Sequence, residues 1–238
     1  MVLQRIARLA LALMLAALAT GCATTGRGET SAKDPWEGLN RGTFALNEGL
    51  DVVLKPVAKG YDFVMPGFAK EGVNNFFANL DDIPTGLNNM LQGKPGQGFA
   101  DLGRFVVNTT LGVFGLWDVA TPMGLEKHEE DFGQTLAVWG VNSGPYLVLP
   151  LFGPSNLRDG PARVVTPSWY YGEWFGDGAS WGLFGLDVVR TRANLLQSEG
   201  VLDAAALDKY SFIRDAWTQR RRRATFDGSP PRLKEDDE

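Results

Sequence analysis

Apolar residues recur every three or four positions over several stretches of this chain, which is the spacing of one face of a helix. The first stretch follows Asp34 and Pro35, which we interpret as the N-cap and the first residue of a helix. Its apolar positions continue to Val53, and we expect Pro56 to end it because proline removes a helical hydrogen bond. Pro66-Gly67 predicts the next break.

The same spacing predicts further helices downstream. They are a short aromatic helix over 73–80, one opened by Asp81-Asp82-Ile83-Pro84 and ending near Gln92, one from Gln97, one over 134–139, one over about 183–196 and a last one from Asp203 to about Thr225. Three glycines at 112, 115 and 124 predict a loose, flexible connection, and the charged segment 126–131 predicts a solvated surface. No alternating pattern persists long enough to build a sheet, so we predict a single all-α domain with long ordered loops rich in glycine and proline.

The segment 131–159 is the feature around which we expect the helices to pack. Its centre, residues 146–152, is nearly all apolar, yet Pro145, Pro150 and Pro154 interrupt or flank it. These prolines exclude one continuous helix and disfavour a central strand. Because the backbone polar groups must still be satisfied, we expect an irregular brace held inside protein structure.

The N-terminal residues predict export. Arg5 and Arg8 precede the apolar run 9–18, which is too short to span a bilayer, so residues 1–21 are interpreted as a signal peptide. The single cysteine, Cys22, follows in LATGC, which resembles a bacterial lipobox with an acylated cysteine; a free thiol is the alternative. Ala23 after it favours sorting to the outer membrane. We then expect a tether over 22–33, a folded domain over 34–225 and a disordered acidic tail over 226–238.

The segment 168–185 is the most aromatic part of the chain. Trp169, Tyr170, Trp174 and Trp181 are candidates for the membrane–water interface, where one end of the ring is apolar and the other can form hydrogen bonds. A glycine-rich aromatic core is the alternative. Beyond the signal peptide, no apolar run is long enough for a transmembrane helix. We therefore expect the protein to lie in or on a membrane without crossing it.

Composition excludes several classes of chemistry. The formal charge of −5 argues against a nucleic-acid partner, because such binding depends on phosphate neutralisation. One histidine and one cysteine cannot supply a zinc site, and no calcium-loop spacing is present. Residues 178–182 match G-x-S-x-G around Ser180, but that motif needs a preceding strand and a histidine later in the chain, whereas His128 lies upstream. We expect no metal, no catalytic residue and no cofactor beyond the covalent lipid on Cys22.

Several long motifs occur in an order that resembles the VacJ/MlaA lipoproteins. They are DPWEGLNR (34–41), GVNNFFANLDDIP (72–84), NNMLQGK (88–94), RFVVNTTLG (104–112), EDFGQTLAVWGVNSGPYLVLPLFGPSNLRD (130–159), TRANLL (191–196) and FIRDAWTQRR (212–221). The resemblance implies a ring-shaped, all-helical protein seated in the periplasmic leaflet of the outer membrane, with an amphipathic channel. It further implies removal of phospholipid from the outer leaflet, transfer to a soluble periplasmic carrier of the MlaC type, and association with trimeric porins.

Four arginines are candidates for contact with the lipid phosphate, since guanidinium binds phosphate through two hydrogen bonds: Arg41, Arg104, Arg158 and Arg192. Internal ion pairs are the alternative for each, and Asp159 beside Arg158 is also a candidate helix cap. Two other functions stay open. The protein could stabilise porins without moving lipid, or it could hydrolyse lipid through Ser180.

Overall fold

The computed structural model describes residues 34–205 and 208–231, except for the side chains of 164–175, 177, 197 and 200–205. The predicted signal peptide, Cys22 and the tether lie outside the described residues. The described elements are α1 (Glu37–Val64), α2 (Gly67–Leu91), α3 (Pro95–Thr110), α4 (Phe132–Val138), β1 (Tyr146–Leu149), β2 (Gly153–Asn156), α5 (Asp159–Ala205) and α6 (Lys209–Thr225). Helices dominate, so the predicted all-α class is confirmed.

Two prolines lie inside helices that they were expected to end or begin. Helix α1 continues through Pro56 for two further turns, and α2 passes Pro84 as one helix of 25 residues instead of two short ones. A proline removes a single helical hydrogen bond, and packing on both sides of it can offset that loss. The break at Pro66-Gly67 is confirmed, because α1 and α2 meet there.

Asp34 does not cap α1, which corrects the sequence interpretation. The helix begins at Glu37, and the residue before it makes no capping hydrogen bond. The carboxylate of Asp34 is instead fully buried, where it accepts hydrogen bonds from the Asn40 amide at 2.8 Å and from the Tyr210 hydroxyl. This residue therefore joins the start of α1 to α6.

The brace contains a β-hairpin, where the sequence predicted no sheet. Strands β1 and β2 pair antiparallel, with Tyr146 opposite Asn156 and Leu149 opposite Gly153. Pro154 lies on β2, and a two-stranded ribbon tolerates it because each strand has one free edge.

Two asparagines of α1 cover the open edge of β1. The Asn40 amide donates to Tyr146 O at 3.0 Å and accepts from Val148 N at 2.9 Å. Two helical turns later, Asn47 donates to Leu149 O at 3.0 Å and accepts from Leu151 N at 2.8 Å. Each side chain supplies the donor and the acceptor that a third strand would supply. Helix α1 therefore forms the hydrogen bonds that the backbone groups at the open edge of β1 need.

The connection 111–131 is tightly packed at Gly112 and Gly115 but open at Gly124, where the sequence predicted a loose segment throughout. A Cβ at Gly115, whose φ is +84°, would lie 2.5 Å from the Asn79 amide. The charged segment 126–131 is exposed at four of its six positions, as predicted. It also forms ion pairs: Lys127 bonds Asp82, His128 Nδ1 lies 2.9 Å from Asp101, and Glu130 accepts from Lys94 at 3.1 Å.

The C-terminal half also differs from the expected boundaries. The helix predicted over about 183–196 lies within the longer α5, which is interrupted at Gly176. The last helix begins at Lys209, not Asp203, with Asp208 as its N-cap. The tail was expected to be disordered from Phe226, but Asp227 forms an ion pair with Lys94 at 2.6 Å; residues 232–238 lie outside the described range.

Helices α2 and α3 cross at two glycines. A Cβ at Gly98 would lie 2.7 Å from Gly86 O, so the two backbones touch. We predict that Gly98→Ala destabilises the protein by about 1–3 kcal/mol, because the crossing must open. Gly96→Ala is the matched control: it lies on the same helix with open space around it, and it should be neutral or stabilising. Urea unfolding in detergent measures both; equal effects would contradict the close crossing.

Candidate functional site: a polar interior inside an apolar surface

Polar side chains occupy most of the deeply buried positions that the structure describes. Among those residues, fifteen polar or charged side chains are buried, compared with nine hydrophobic side chains. Of the nine largest that are fully buried, eight are polar and one is Phe77. Water-soluble domains show the opposite distribution, since their buried side chains are mostly aliphatic and aromatic.

The surface shows the complementary pattern. Twenty-nine large hydrophobic side chains of the described residues are exposed, and many lie on α1, around the α1–α2 junction and in the connection after α3. Phe63 and Phe68, at that junction, are 91% and 80% exposed. Apolar surface on this scale indicates contact with a membrane or with another protein.

Arg104 of α3 is the centre of the largest polar cluster. Its side chain is 2% exposed and donates to Thr121 Oγ1 at 2.9 Å, to Leu125 O and to Asp118 Oδ2 at 3.0 Å. Its Nε lies 3.5 Å from Asp82 Oδ2 on α2. A buried guanidinium requires such neutralisation, so Arg104 fixes α2, α3 and the following connection to one another.

The two carboxylates beside Arg104 titrate differently. Burial raises the pKa of Asp82, although the ammonium of Lys127 opposes this. Burial also opposes ionisation of Asp118, but hydrogen bonds from Thr121, Arg104 and Asn108 prevail and lower the pKa of Asp118 to about 2. Asp118 therefore keeps the negative charge that neutralises Arg104 throughout the physiological range.

A small cavity of about 70 Å³ lies beside this cluster. Its lining includes Asn79, Asp82, Arg104, Asp118 and Lys127. Asn79 Oδ1, Asp82 Oδ2 and Arg104 Nε have no hydrogen-bond partner within the protein. With two carboxylates and two cations around it, the cavity is neutral overall, so it suits small polar molecules better than ions.

Asp81 is solvent-accessible, although protein surrounds its carboxylate on most sides. Burial raises the pKa of Asp81 to about 6, and the nearby Asp187 carboxylate acts in the same direction. The guanidinium of Arg190 pairs with Asp187 and lies 4.7 Å from the Phe77 ring. Asp81, Asp187 and Arg190 therefore form a charged wall between α2 and α5.

The family model for the MlaA lipoprotein matches residues 32–224, which includes α1 to α5 and all but the last residue of α6. The chain belongs to the MlaA lipoprotein family. The intermembrane phospholipid transport system lipoprotein MlaA of Escherichia coli K12 is 35% identical over 208 residues, covering 85% of this chain and 82% of that protein. The protein of the same name from Haemophilus influenzae is 30% identical over 232 residues, covering 94% and 92%.

A solved structure from work on the structural basis for maintenance of bacterial outer membrane lipid asymmetry has the same fold as this MlaA-family chain. The TM-score is 0.67 at 36% identity, covering 82% of this chain and 99% of that one. Within the residues searched, no helix combines the length and the hydrophobicity needed to cross a membrane.

The four arginines proposed from sequence lie in four separate ion-paired environments. Arg41 bonds Glu37 and Asp208, Arg104 bonds Asp118, Arg158 bonds Asp159, and Arg192 bonds Asp51 and Glu199. The structure does not bring them together, and the internal ion pairs expected as the alternative are present. Phosphate contact by these residues stays a prediction.

The aromatic candidates all lie on α5. Trp181 is 56% exposed and makes an edge-on contact with Phe184 at 6.3 Å. The side chains of Trp169, Tyr170 and Trp174 lie outside the described residues, so their membrane contact stays a prediction. Asp159 is the first residue of α5, and its carboxylate accepts hydrogen bonds from the Asn156 and Arg158 side chains; its capping role stays a prediction.

The G-x-S-x-G match lacks the geometry of a nucleophile elbow. Ser180 lies on α5, not on a strand-to-helix turn, and its hydroxyl donates to Gly176 O. His128 pairs with Asp101, whose other oxygen accepts from Asn89 at 2.8 Å. Among the residues that the structure describes, no three His, Cys, Asp or Glu side chains converge as metal ligands would.

Sequence reasoning missed the residues that hold the polar interior. The sequence patterns assigned no specific partner to Asn40, Asn47, Asp118 or Lys127. One signal was available: Asn40 and Asn47 are seven positions apart, so they lie on the same side of α1.

Asp81→Asn tests the charged wall. The pKa of this carboxyl is near 4 in the unfolded chain and about 6 in the folded protein. The free energy of unfolding therefore decreases as the pH rises from about 4 to about 6. We therefore predict that Asp81→Asn leaves the melting temperature unchanged at pH 4 and raises it at pH 7.5. Glu126→Gln, which removes an exposed carboxylate, is the control. A shift of equal size at both pH values would contradict the raised pKa.

Proposed function

We propose that this protein is an outer-membrane lipoprotein that removes phospholipids from the outer leaflet and passes them to a soluble periplasmic carrier. The lipid on Cys22 would anchor it to the periplasmic leaflet. Membership of the MlaA family supports this role, since the relatives carry the name of a phospholipid transport system.

The observation that carries the proposal is the inverted distribution of side chains. An apolar exterior favours immersion in acyl chains, because burying apolar surface contributes roughly 25 cal/mol per Å². A polar interior offers charged and amide groups to a lipid headgroup that leaves water. Together the two features suit a passage in which the headgroup moves along protein while the tails stay near hydrocarbon.

The proposed transport needs no covalent step. The headgroup would exchange water for polar groups such as those around Asp81 and Arg190, and the tails would remain in contact with apolar surface. Direction would come from the position of the passage relative to the two leaflets and from removal by the carrier. We further propose that trimeric porins hold the protein in place.

Transport is tested in a deletion strain. We predict that outer-leaflet phospholipid, labelled with a membrane-impermeant amine reagent, accumulates without the protein and returns to the parental level on complementation. Unchanged leaflet composition would contradict transport. If the purified protein binds porin but transfers no fluorescent phospholipid from vesicles to the carrier, the porin-stabilising alternative is correct.

The lipid anchor is tested by Cys22→Ala. We predict that this variant incorporates no radiolabelled palmitate and leaves the membrane fraction more readily, because acyl chains contribute about 0.8 kcal/mol per buried methylene. The wild-type chain expressed in parallel is the control. Normal palmitate labelling of Cys22→Ala would contradict the lipobox assignment.

A further inference from the structure

The small cavity beside Arg104 is closed at one end and accessible at the other. Its inner end is formed by Asn79, Asp82 and Arg104, whose side chains are all at most 3% exposed. Its outer end is formed by Asp118 and Lys127, whose side chains are 31% and 33% exposed. A small molecule that reaches the outer end can therefore contact groups that are otherwise buried.

Three buried atoms at the inner end have no hydrogen-bond partner among the residues that the structure describes. They are Asn79 Oδ1, Asp82 Oδ2 and Arg104 Nε. Arg104 Nε lies 3.5 Å from Asp82 Oδ2, a distance that allows electrostatic attraction but is too long for a hydrogen bond. The other two nitrogens of this guanidinium already have acceptors. Because an unpaired buried polar atom costs free energy, the three atoms favour a molecule that bonds to them.

The charges around the cavity favour a neutral occupant. A cation bonded to Asp82 would face the guanidinium of Arg104 and the ammonium of Lys127. An anion bonded to Arg104 would face the carboxylates of Asp82 and Asp118. The occupant must also donate to the two unpaired oxygens and accept from Arg104 Nε. Water meets these requirements, because it is neutral and both donates and accepts hydrogen bonds.

We propose that this cavity binds ordered water, with one molecule joining Asp82 Oδ2 to Arg104 Nε. A single oxygen can lie within hydrogen-bond distance of two atoms that are 3.5 Å apart. The volume of about 70 Å³ holds two water molecules at ~30 Å³ each, so a second can bond to Asn79 Oδ1. The water completes the partners of the guanidinium that joins α2, α3 and the following connection, whichever molecule the protein transports.

Ala78 offers a position from which the water can be displaced. It lines the cavity and lies with Asn75, Asn79 and Asp82 on one face of α2, at spacings of three and four residues. A larger side chain at this position would enter the space assigned to water. Valine and threonine have nearly the same shape, but only threonine has a hydroxyl that can replace a hydrogen bond of the displaced molecule.

Urea unfolding of Ala78→Val and Ala78→Thr in detergent tests the proposal. We expect the folding equilibrium constant of Ala78→Val to be roughly tenfold below that of Ala78→Thr, because valine displaces water and leaves buried polar atoms unpaired. Ala45→Val and Ala45→Thr, at an exposed position of α1, are the matched controls. Both are β-branched changes in a helix, so they should differ little from each other.

A crystal structure of the mature protein in detergent, at a resolution that shows water, tests the site directly. We expect an oxygen at about 2.6–3.2 Å from both Asp82 Oδ2 and Arg104 Nε. This measurement uses the parent protein, so it decides the matter even if Ala78→Val does not fold.

Three results would overturn the proposal. The first is electron density for an ion, or no density, between the Asp82 carboxylate and the Arg104 guanidinium. The second is an Ala78→Val variant at least as stable as the parent protein, which is the outcome expected when a dry cavity is filled. The third is a difference between valine and threonine at Ala78 no larger than the difference at Ala45.

Discussion

The buried guanidinium of Arg104 is the constraint on which the rest of this structure depends. A fully desolvated cation is costly unless ionised partners and hydrogen-bond acceptors surround it. Asp118, Asp82, Thr121 and the Leu125 carbonyl supply them, and to do so the connection after α3 must fold back over the helix. Lys127 of the same connection bonds Asp82 as well.

The hairpin depends on polar contacts in the same way. Asn40 and Asn47 take the place of a neighbouring strand, and Asp34 and Tyr210 tie that arrangement to the last helix. Polar contacts thus connect elements that are distant in sequence, beside an apolar cluster around Tyr146, Val148 and Tyr210. Such a plan suits a protein whose outside is apolar, because association of apolar side chains gains little where lipid tails are equally apolar.

Sequence patterns predicted the helical class, the break at Pro66-Gly67 and the helices starting near Gln97 and Gln134, because those features are encoded locally by periodicity and by turn residues. Patterns failed where distant contacts decide the outcome. Packing lets helices continue through Pro56 and Pro84, and helix α1 provides the hydrogen bonds that make a hairpin in the brace possible. For the site, Arg104 was singled out, but its role depends on partners that only the fold brings together. The family motifs indicated lipid transport without locating any of these contacts.

The central claim is that charged contacts inside the protein hold its helices together in addition to two small apolar clusters. A double-mutant cycle with Arg104→Gln and Asp118→Asn tests this claim most directly. The free energy of unfolding of each variant is measured in detergent. Each single change should destabilise the protein, since Arg104 loses one of its two carboxylate partners or Asp118 loses its guanidinium. The account predicts that the double variant loses less unfolding free energy than the two single variants lose together. The difference is a coupling energy of about 1–3 kcal/mol. Strictly additive effects would show that the pair does not act as a unit and would contradict the account.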